Sequence, residues 1–241
     1  MDEGKKYQII EGDALQELQK LPDETFDGFI ADPPYCSGGL TPAATSRGGM
    51  LKYLNSDRAG SFSDTMSQIS LFDFLRVILL TARAKLKSPG YIFLFTDWRS
   101  LPVMASALQS TGAIYRGLVT WSKGKSRTRP NPGQISQTSE FIIWGTKDEA
   151  KSDKYVTNSV FEVAPPPAIK RIHPTQKPVE LYRELFKILP SSPKVIDLFM
   201  GSGVAGVATL DANGDYIGVD NSPEFCRYAS TRLNDETKKL F

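Results

Sequence analysis

Short apolar runs alternate along this chain with segments whose apolar residues recur three or four positions apart. The runs predict strands over 7–10, 26–31, 91–96, 114–122, 140–145, 194–199 and 216–219. The helical spacing predicts helices over 14–20, 67–87, 101–109, 179–189, 204–212 and 223–233. Pro89-Gly90 stops the second helix, and Pro178 sits at the start of the fourth. The run Tyr91-Ile92-Phe93-Leu94-Phe95 has no polar alternation, as expected of a strand covered on both faces. Strand following helix in this way predicts an α/β fold with a doubly wound, mostly parallel sheet. The close pair 114–122 and 140–145 adds one antiparallel hairpin.

Three stretches break the pattern. Residues 36–66 are rich in Gly and Ser and lack periodicity, and so long a loop inside a compact domain is expected to be functional or mobile. Residues 123–138 carry Lys123, Lys125, Arg127 and Arg129 between the two hairpin strands. Residues 147–171 are polar, then proline-rich, and end at Lys170-Arg171. Otherwise 1–241 reads as a single domain.

Composition narrows the classes without choosing among them. A chain of 241 residues can bury a full core. A net charge of +2 gives no global field, so an acidic partner must meet a local patch. Cys36 and Cys226 form neither a disulfide framework nor a metal spacing, which predicts a reduced, intracellular, cytoplasmic setting. No run reaches transmembrane length, so no membrane association is expected. His173 is the only histidine and has no neighbouring Cys or His, so no metal site is expected.

Candidate chemistry gathers in three places. Asp32-Pro33-Pro34-Tyr35 follows the apolar run 26–31, at the strand end where open α/β sheets place ligands. A carboxylate there can accept an exocyclic N–H, an aromatic ring can stack on a base, and two prolines stiffen the loop. The same tetrapeptide is also compatible with an ordinary turn. Asp197-Leu198-Phe199-Met200-Gly201-Ser202-Gly203 joins a strand to a helix, and Asp220 ends the next strand. Glycines admit a ligand to the backbone, the helix N-terminus suits an anion, and the acid suits ribose hydroxyls. Gly201, Gly203 and Gly206 also fit a dinucleotide fingerprint, but too little chain follows for that sheet, and it leaves Asp32-Pro33-Pro34-Tyr35 without a role. Thirdly, Thr175 and Lys177 in His173-Pro174-Thr175-Gln176-Lys177-Pro178 can hold an anionic group.

Together with Gly12-Asp13, Trp121-Ser122-Lys123 and Gly218-Val219-Asp220, these motifs resemble the β-class DNA amino-methyltransferases over nearly the whole chain. The resemblance lies in their order, catalytic tetrapeptide first and cofactor glycines last. It implies a circularly permuted class I methyltransferase fold with a seven-stranded sheet. It implies S-adenosylmethionine as cofactor and double-stranded DNA as partner. Carried over by position, Asp32, Pro33, Pro34 and Tyr35 would be catalytic. Asp197, Phe199, Gly201, Ser202 and Gly203 would line the methionine side of the cofactor pocket. Asp220 would take the ribose and Asp13 the adenine, with Thr175 and Lys177 near the methionine carboxylate. Leu198 stands where many relatives have proline, which loosens that loop without removing a contact.

The implied chemistry is direct in-line methyl transfer to a flipped base. Asp32 and the Pro33 carbonyl would accept the amino N–H bonds, with Tyr35 stacking on the ring. Asp32 points to adenine N6, since relatives acting on cytosine N4 more often carry serine there. Cytosine N4, an RNA amino-methyltransferase and an inactive DNA-binding module are the alternatives. Cys36 lies one residue too far from proline for a cytosine-C5 nucleophile. Lys123, Lys125, Arg127 and Arg129 are the first phosphate contacts, with Lys170 and Arg171 behind them. Only the short segment 147–171 stands where relatives carry a target-recognition insert, so recognition falls to it, to 36–66, to the basic loop 123–138 or to the second subunit of a homodimer. No partner nuclease is legible, although a restriction-modification setting fits.

Overall fold

The computed structural model describes residues 6–34, 67–124, 132–133, 135–150, 154–156, 158–166 and 176–239. The expectations for 36–66, Tyr35, Cys36, Lys125, Arg127, Arg129, Lys170, Arg171, His173 and Thr175 lie outside them.

In chain order the described elements are β1 (Tyr7–Glu11), α1 (Ala14–Lys20), β2 (Phe26–Ala31), α2 (Gln68–Lys85), β3 (Leu86–Thr96), α3 (Leu101–Gln109), β4 (Ile114–Ser122), β5 (Ser139–Thr146), β6 (Val160–Glu162), α4 (Val179–Phe186), β7 (Lys194–Asp197), α5 (Val204–Asp211), β8 (Asp215–Asp220) and α6 (Pro223–Lys239). The strands form one sheet in the order β1-β8-β7-β2-β3-β5-β4-β6. Among them β5 alone runs antiparallel, against both β3 and β4. The parallel sheet and its antiparallel hairpin are as the sequence predicts.

The strand count is a correction: eight among the described residues, not seven. The extra strand, β6, lies within 147–171 and pairs parallel to the end of β4. Its sole buried residue is Phe161, and the Trp121 indole donates to the Val163 carbonyl at 2.7 Å. Three residues with one inward side chain carry no readable period. A second correction moves the start of β3 from Tyr91 back to Leu86, so α2 ends at Lys85. Pro89 interrupts the apolar run there without ending the strand.

The sheet is covered on both faces. Tyr91, Phe93 and Phe95 of β3 point to one side, toward Tyr182 and Phe186 of α4, Val204 and Ala208 of α5, and Ala229 and Leu233 of α6. Ile92 and Leu94 point to the other, toward Leu18, Leu71, Leu75, Ile78, Met104 and Leu108 of α1, α2 and α3. Burying a leucine- or phenylalanine-sized side chain contributes about 1.5–3 kcal/mol, so these two layers are the main source of stability. A fully apolar β3 is what two covers require.

The pairing of β1 with β8 brings the two ends of the described chain together, Tyr7 opposite Tyr216 and Glu11 opposite Asp220. The N-terminal strand therefore completes the half of the sheet built by β7 and β8. Beside it, Ile30 of β2 pairs with Asp197 of β7. Asp32 and the glycine loop, far apart in sequence, thus leave neighbouring strands at the same C-terminal edge.

Candidate active site

The half of that edge built by β7, β8 and β1 is held by backbone donors. Asp197 is buried; its Oδ1 accepts the Phe199 N–H at 3.1 Å and its Oδ2 the Tyr216 hydroxyl at 3.1 Å. Burial pushes its carboxyl pKa up to about 7 against the pull of these two donors, and Asp32 and Asp220 add repulsion. Asp220 Oδ2 accepts the Gly201 N–H at 2.9 Å and Oδ1 the Ser222 N–H at 2.9 Å. Burial raises its pKa too.

Two glycines let the loop make this turn. Gly201 and Gly203 have φ of 49° and 72°, in the left-handed region. A Cβ on Gly203 would also stand 2.9 Å from the Ala229 Cβ on α6. Beside the loop lies an open cleft lined by Gly12, Asp13, Ala14, Phe74, Leu198, Phe199, Asp220 and Asn221. Apolar walls with an acid at one end suit a nucleoside, with the base between apolar side chains and the ribose at Asp220.

Two predicted cofactor residues also hold the backbone in place. Asp13 lines the cleft, but its Oδ1 also caps α1, accepting the Leu15 and Gln16 N–H groups at 3.1 and 3.0 Å. The Ser202 hydroxyl and carbonyl both receive Arg232 Nη1 of α6, at 3.0 and 2.8 Å. Ser202 therefore anchors the loop to α6. Phe74 of α2, edge-on to Phe199 at 6.2 Å between centroids, is an addition from the structure. In sequence it is one apolar residue among many on a helix.

The half built by β2, β3, β5 and β4 is held by lysines. The Lys177 ammonium, whose side chain is 4 % exposed, lies 2.6 Å from Asp32 Oδ2 and 3.4 Å from Glu140 Oε2. Lys123 pairs with Glu140 Oε1. Burial opposes a charge on Lys177, yet Asp32 and Glu140 outweigh it and hold its pKa above the ordinary lysine value. Burial likewise opposes a charge on Glu140, and Lys177 and Lys123 outweigh it to lower its pKa. The ammonium also sits 5.6 Å from the Phe95 ring centroid.

Lys177, expected near the cofactor carboxylate, is thus placed on Asp32. Glu140 carries no local signal in the sequence, because its meaning comes from cross-strand pairing: it faces Trp121 on β4, next to Lys123. At the same edge, after β3, Trp98 is 48 % exposed with the Arg99 guanidinium 4.9 Å from its ring centroid. Asp97 fixes that turn, accepting from the Arg99 and Ser100 N–H groups at 2.9 and 3.0 Å.

Comparison with known proteins identifies the family. The sequence profile of the DNA methylase family, covering N6 and N4 methyltransferases, matches residues 26–231. The chain belongs to the DNA methylase family. Among curated relatives, it is 27% identical to the type II methyltransferase M2.LlaDCHI of Lactococcus lactis subsp. cremoris, covering 94% of this chain and 88% of that one. It is 24% identical to M2.MboI of Moraxella bovis, covering 98% and 90%. Among solved structures, the M1.HpyAVI–SAM complex superimposes with a TM-score of 0.69 at 22% identity, covering 95% of this chain and 99% of that one. PvuII DNA methyltransferase (cytosine-N4-specific) superimposes with a TM-score of 0.70 at 14% identity, covering 98% and 93%.

This DNA methylase is therefore an amino-methyltransferase of the class I fold, and S-adenosylmethionine is its methyl donor. No described helix is long and apolar enough to cross a membrane.

Proposed function

We propose that this methylase modifies the exocyclic N6 of an adenine flipped out of double-stranded DNA. The observation that carries this is the pairing of Ile30 with Asp197, which sets Asp32 beside the cofactor loop at one sheet edge. An amino group on Asp32 then lies next to whatever the Asp197–Gly203 loop holds.

An adenine amino nitrogen is a poor nucleophile because its lone pair is delocalised into the ring. Asp32, accepting one N–H, and the Pro33 carbonyl, accepting the other, favour a pyramidal nitrogen with a directed lone pair. Positioning and electrostatics supply most of the rate effect, and no covalent link to the protein is required. The donor contributes an electrophilic sulfonium methyl. Asp220 takes the ribose, the apolar walls around Phe74 and Phe199 hold its base, and the loop at Gly201 and Gly203 lines the methionine side.

Extruding the base costs a few kcal/mol, and stacking on Tyr35 returns about 1–3 kcal/mol. Lys125, Arg127, Arg129, Lys170 and Arg171 meet phosphates, whereas Lys123, expected among them, is engaged on Glu140 instead; the exposed Trp98 and Arg99 lie on the same edge and face the duplex. Acid at position 32 favours adenine. PvuII methyltransferase, described as cytosine-N4-specific, shares the fold, so the architecture itself is open to both bases.

The test is direct. The protein is expressed in cells lacking DNA methylation, their DNA is digested to nucleosides, and modified positions are mapped by long-read sequencing. N6-methyladenine at a short recurring sequence is the expected result. N4-methylcytosine would overturn the base assignment, and unmodified DNA beside a folded, cofactor-binding protein would overturn the activity.

A further inference from the structure

Glu140 Oε2 is buried and makes no hydrogen bond among the described residues, yet a lysine ammonium stands 3.4 Å away. That ammonium belongs to Lys177 and is engaged at 2.6 Å with Asp32 Oδ2. A buried acceptor left unmade is costly and calls for an explanation. The other Glu140 oxygen is fixed by Lys123, so the carboxylate cannot simply turn to find a partner elsewhere. One lysine thus lies between two acids, bonded to the nearer and within a small side-chain movement of the other.

We propose that Lys177 and Glu140 are positioning residues that prepare Asp32 for the base. Before DNA arrives, the Lys177 ammonium occupies Asp32 Oδ2 and holds the carboxylate in place. When the target amino group reaches Asp32, the ammonium passes to Glu140 Oε2, which completes the missing hydrogen bond. Asp32 exchanges a cationic donor for a neutral N–H, and the ammonium stays in the same pocket on Glu140. Lys123 serves the exchange by holding Glu140 at the right distance. Charge is conserved throughout, because only hydrogen bonds change partners. The long, flexible lysine stem suits such a transfer better than a rigid donor.

This rests on Asp32 being the acceptor of the amino group. Three variants test it: Glu140→Gln, Lys177→Met and Lys177→Arg. Each is measured for cofactor affinity by calorimetry, for DNA affinity, and for single-turnover methyl transfer at saturating cofactor and DNA. Glu140→Gln is expected to slow transfer by about 10-fold and Lys177→Met by roughly 100-fold, the cost of a misplaced reacting group. In both, cofactor affinity should stay within about 3-fold of wild type. Lys177→Arg, whose fork reaches both acids, should recover part of the rate.

Wild-type transfer rates in Glu140→Gln, or weakened cofactor binding with an unchanged saturated rate in Lys177→Met, would overturn the proposal. The second result would return Lys177 to the cofactor carboxylate. Should Lys177→Met fail to melt cooperatively, Glu140→Gln decides alone. Asp32→Ala separates the two levels. Transfer retained in that variant removes the base reading itself, whereas an inactive Asp32→Ala beside a fast Glu140→Gln removes only the exchange.

Discussion

The two halves of the catalytic edge bury carboxylates in opposite ways. Around β7 and β8, Asp197 and Asp220 are held by neutral donors, three backbone N–H groups and the Tyr216 hydroxyl, and burial raises both pKa values. Around β2 and β5, Asp32 and Glu140 are held by Lys177 and Lys123, which outweigh burial at Glu140 and lower its pKa. The first arrangement leaves negative potential for a cationic donor to neutralise. The second is already neutralised, and its cations can be exchanged for an uncharged amino group. On the proposed reading, one edge carries a fixed socket for the cofactor and an adjustable one for the base.

The socket for the cofactor gives the largest expected loss of cofactor binding. Asp220→Ala removes the acceptor for Gly201 and the proposed ribose contact, and two charge-assisted hydrogen bonds predict a rise in the cofactor Kd of roughly 10- to 100-fold. Unchanged calorimetry would break the comparison on that side. Gly203→Ala comes next. It forces a side chain into the left-handed region and against Ala229, and should lower folding stability by about 1–3 kcal/mol in chemical denaturation.

Asp197 offers a finer contrast through pH. A carboxyl raised to about 7 in the folded state binds protons that the unfolded chain has already released. Its contribution to stability is therefore lost as pH rises from about 4 to about 7, the reverse of an ion-paired acid. Asp197→Asn should melt above wild type at pH 8, with the difference shrinking toward pH 4, while binding the cofactor more weakly. A melting difference independent of pH would show that burial does not act on Asp197 in this way. The smallest effect belongs to the basic loop. Neutralising Lys125, Arg127 and Arg129 should flatten the dependence of log K on log salt by about 0.9 for each phosphate that is no longer neutralised, measured by DNA-binding titration.

The cofactor half is more legible in the sequence than the base half, for a physical reason. Asp197, Gly201, Gly203 and Asp220 act through backbone geometry at strand ends, and glycine and acid in that local order already state their task. Asp32 is legible for the same reason. Glu140 and the placement of Lys177 depend on which elements become neighbours: β5 antiparallel beside β3, and Lys177, just before α4, against Asp32 just after β2. Neither is written in local spacing. The strand β6 is equally hidden, because its pairing rests on Phe161 and a carbonyl bonded by Trp121, contacts made only once β4 exists.

The most direct test of the two-socket account is Asp32→Ala measured twice, by calorimetry with S-adenosylmethionine and by single-turnover methyl transfer to DNA. The account predicts cofactor affinity within about 3-fold of wild type together with a rate at least about 100-fold lower. Transfer near the wild-type rate, or loss of cofactor binding along with activity, would contradict it.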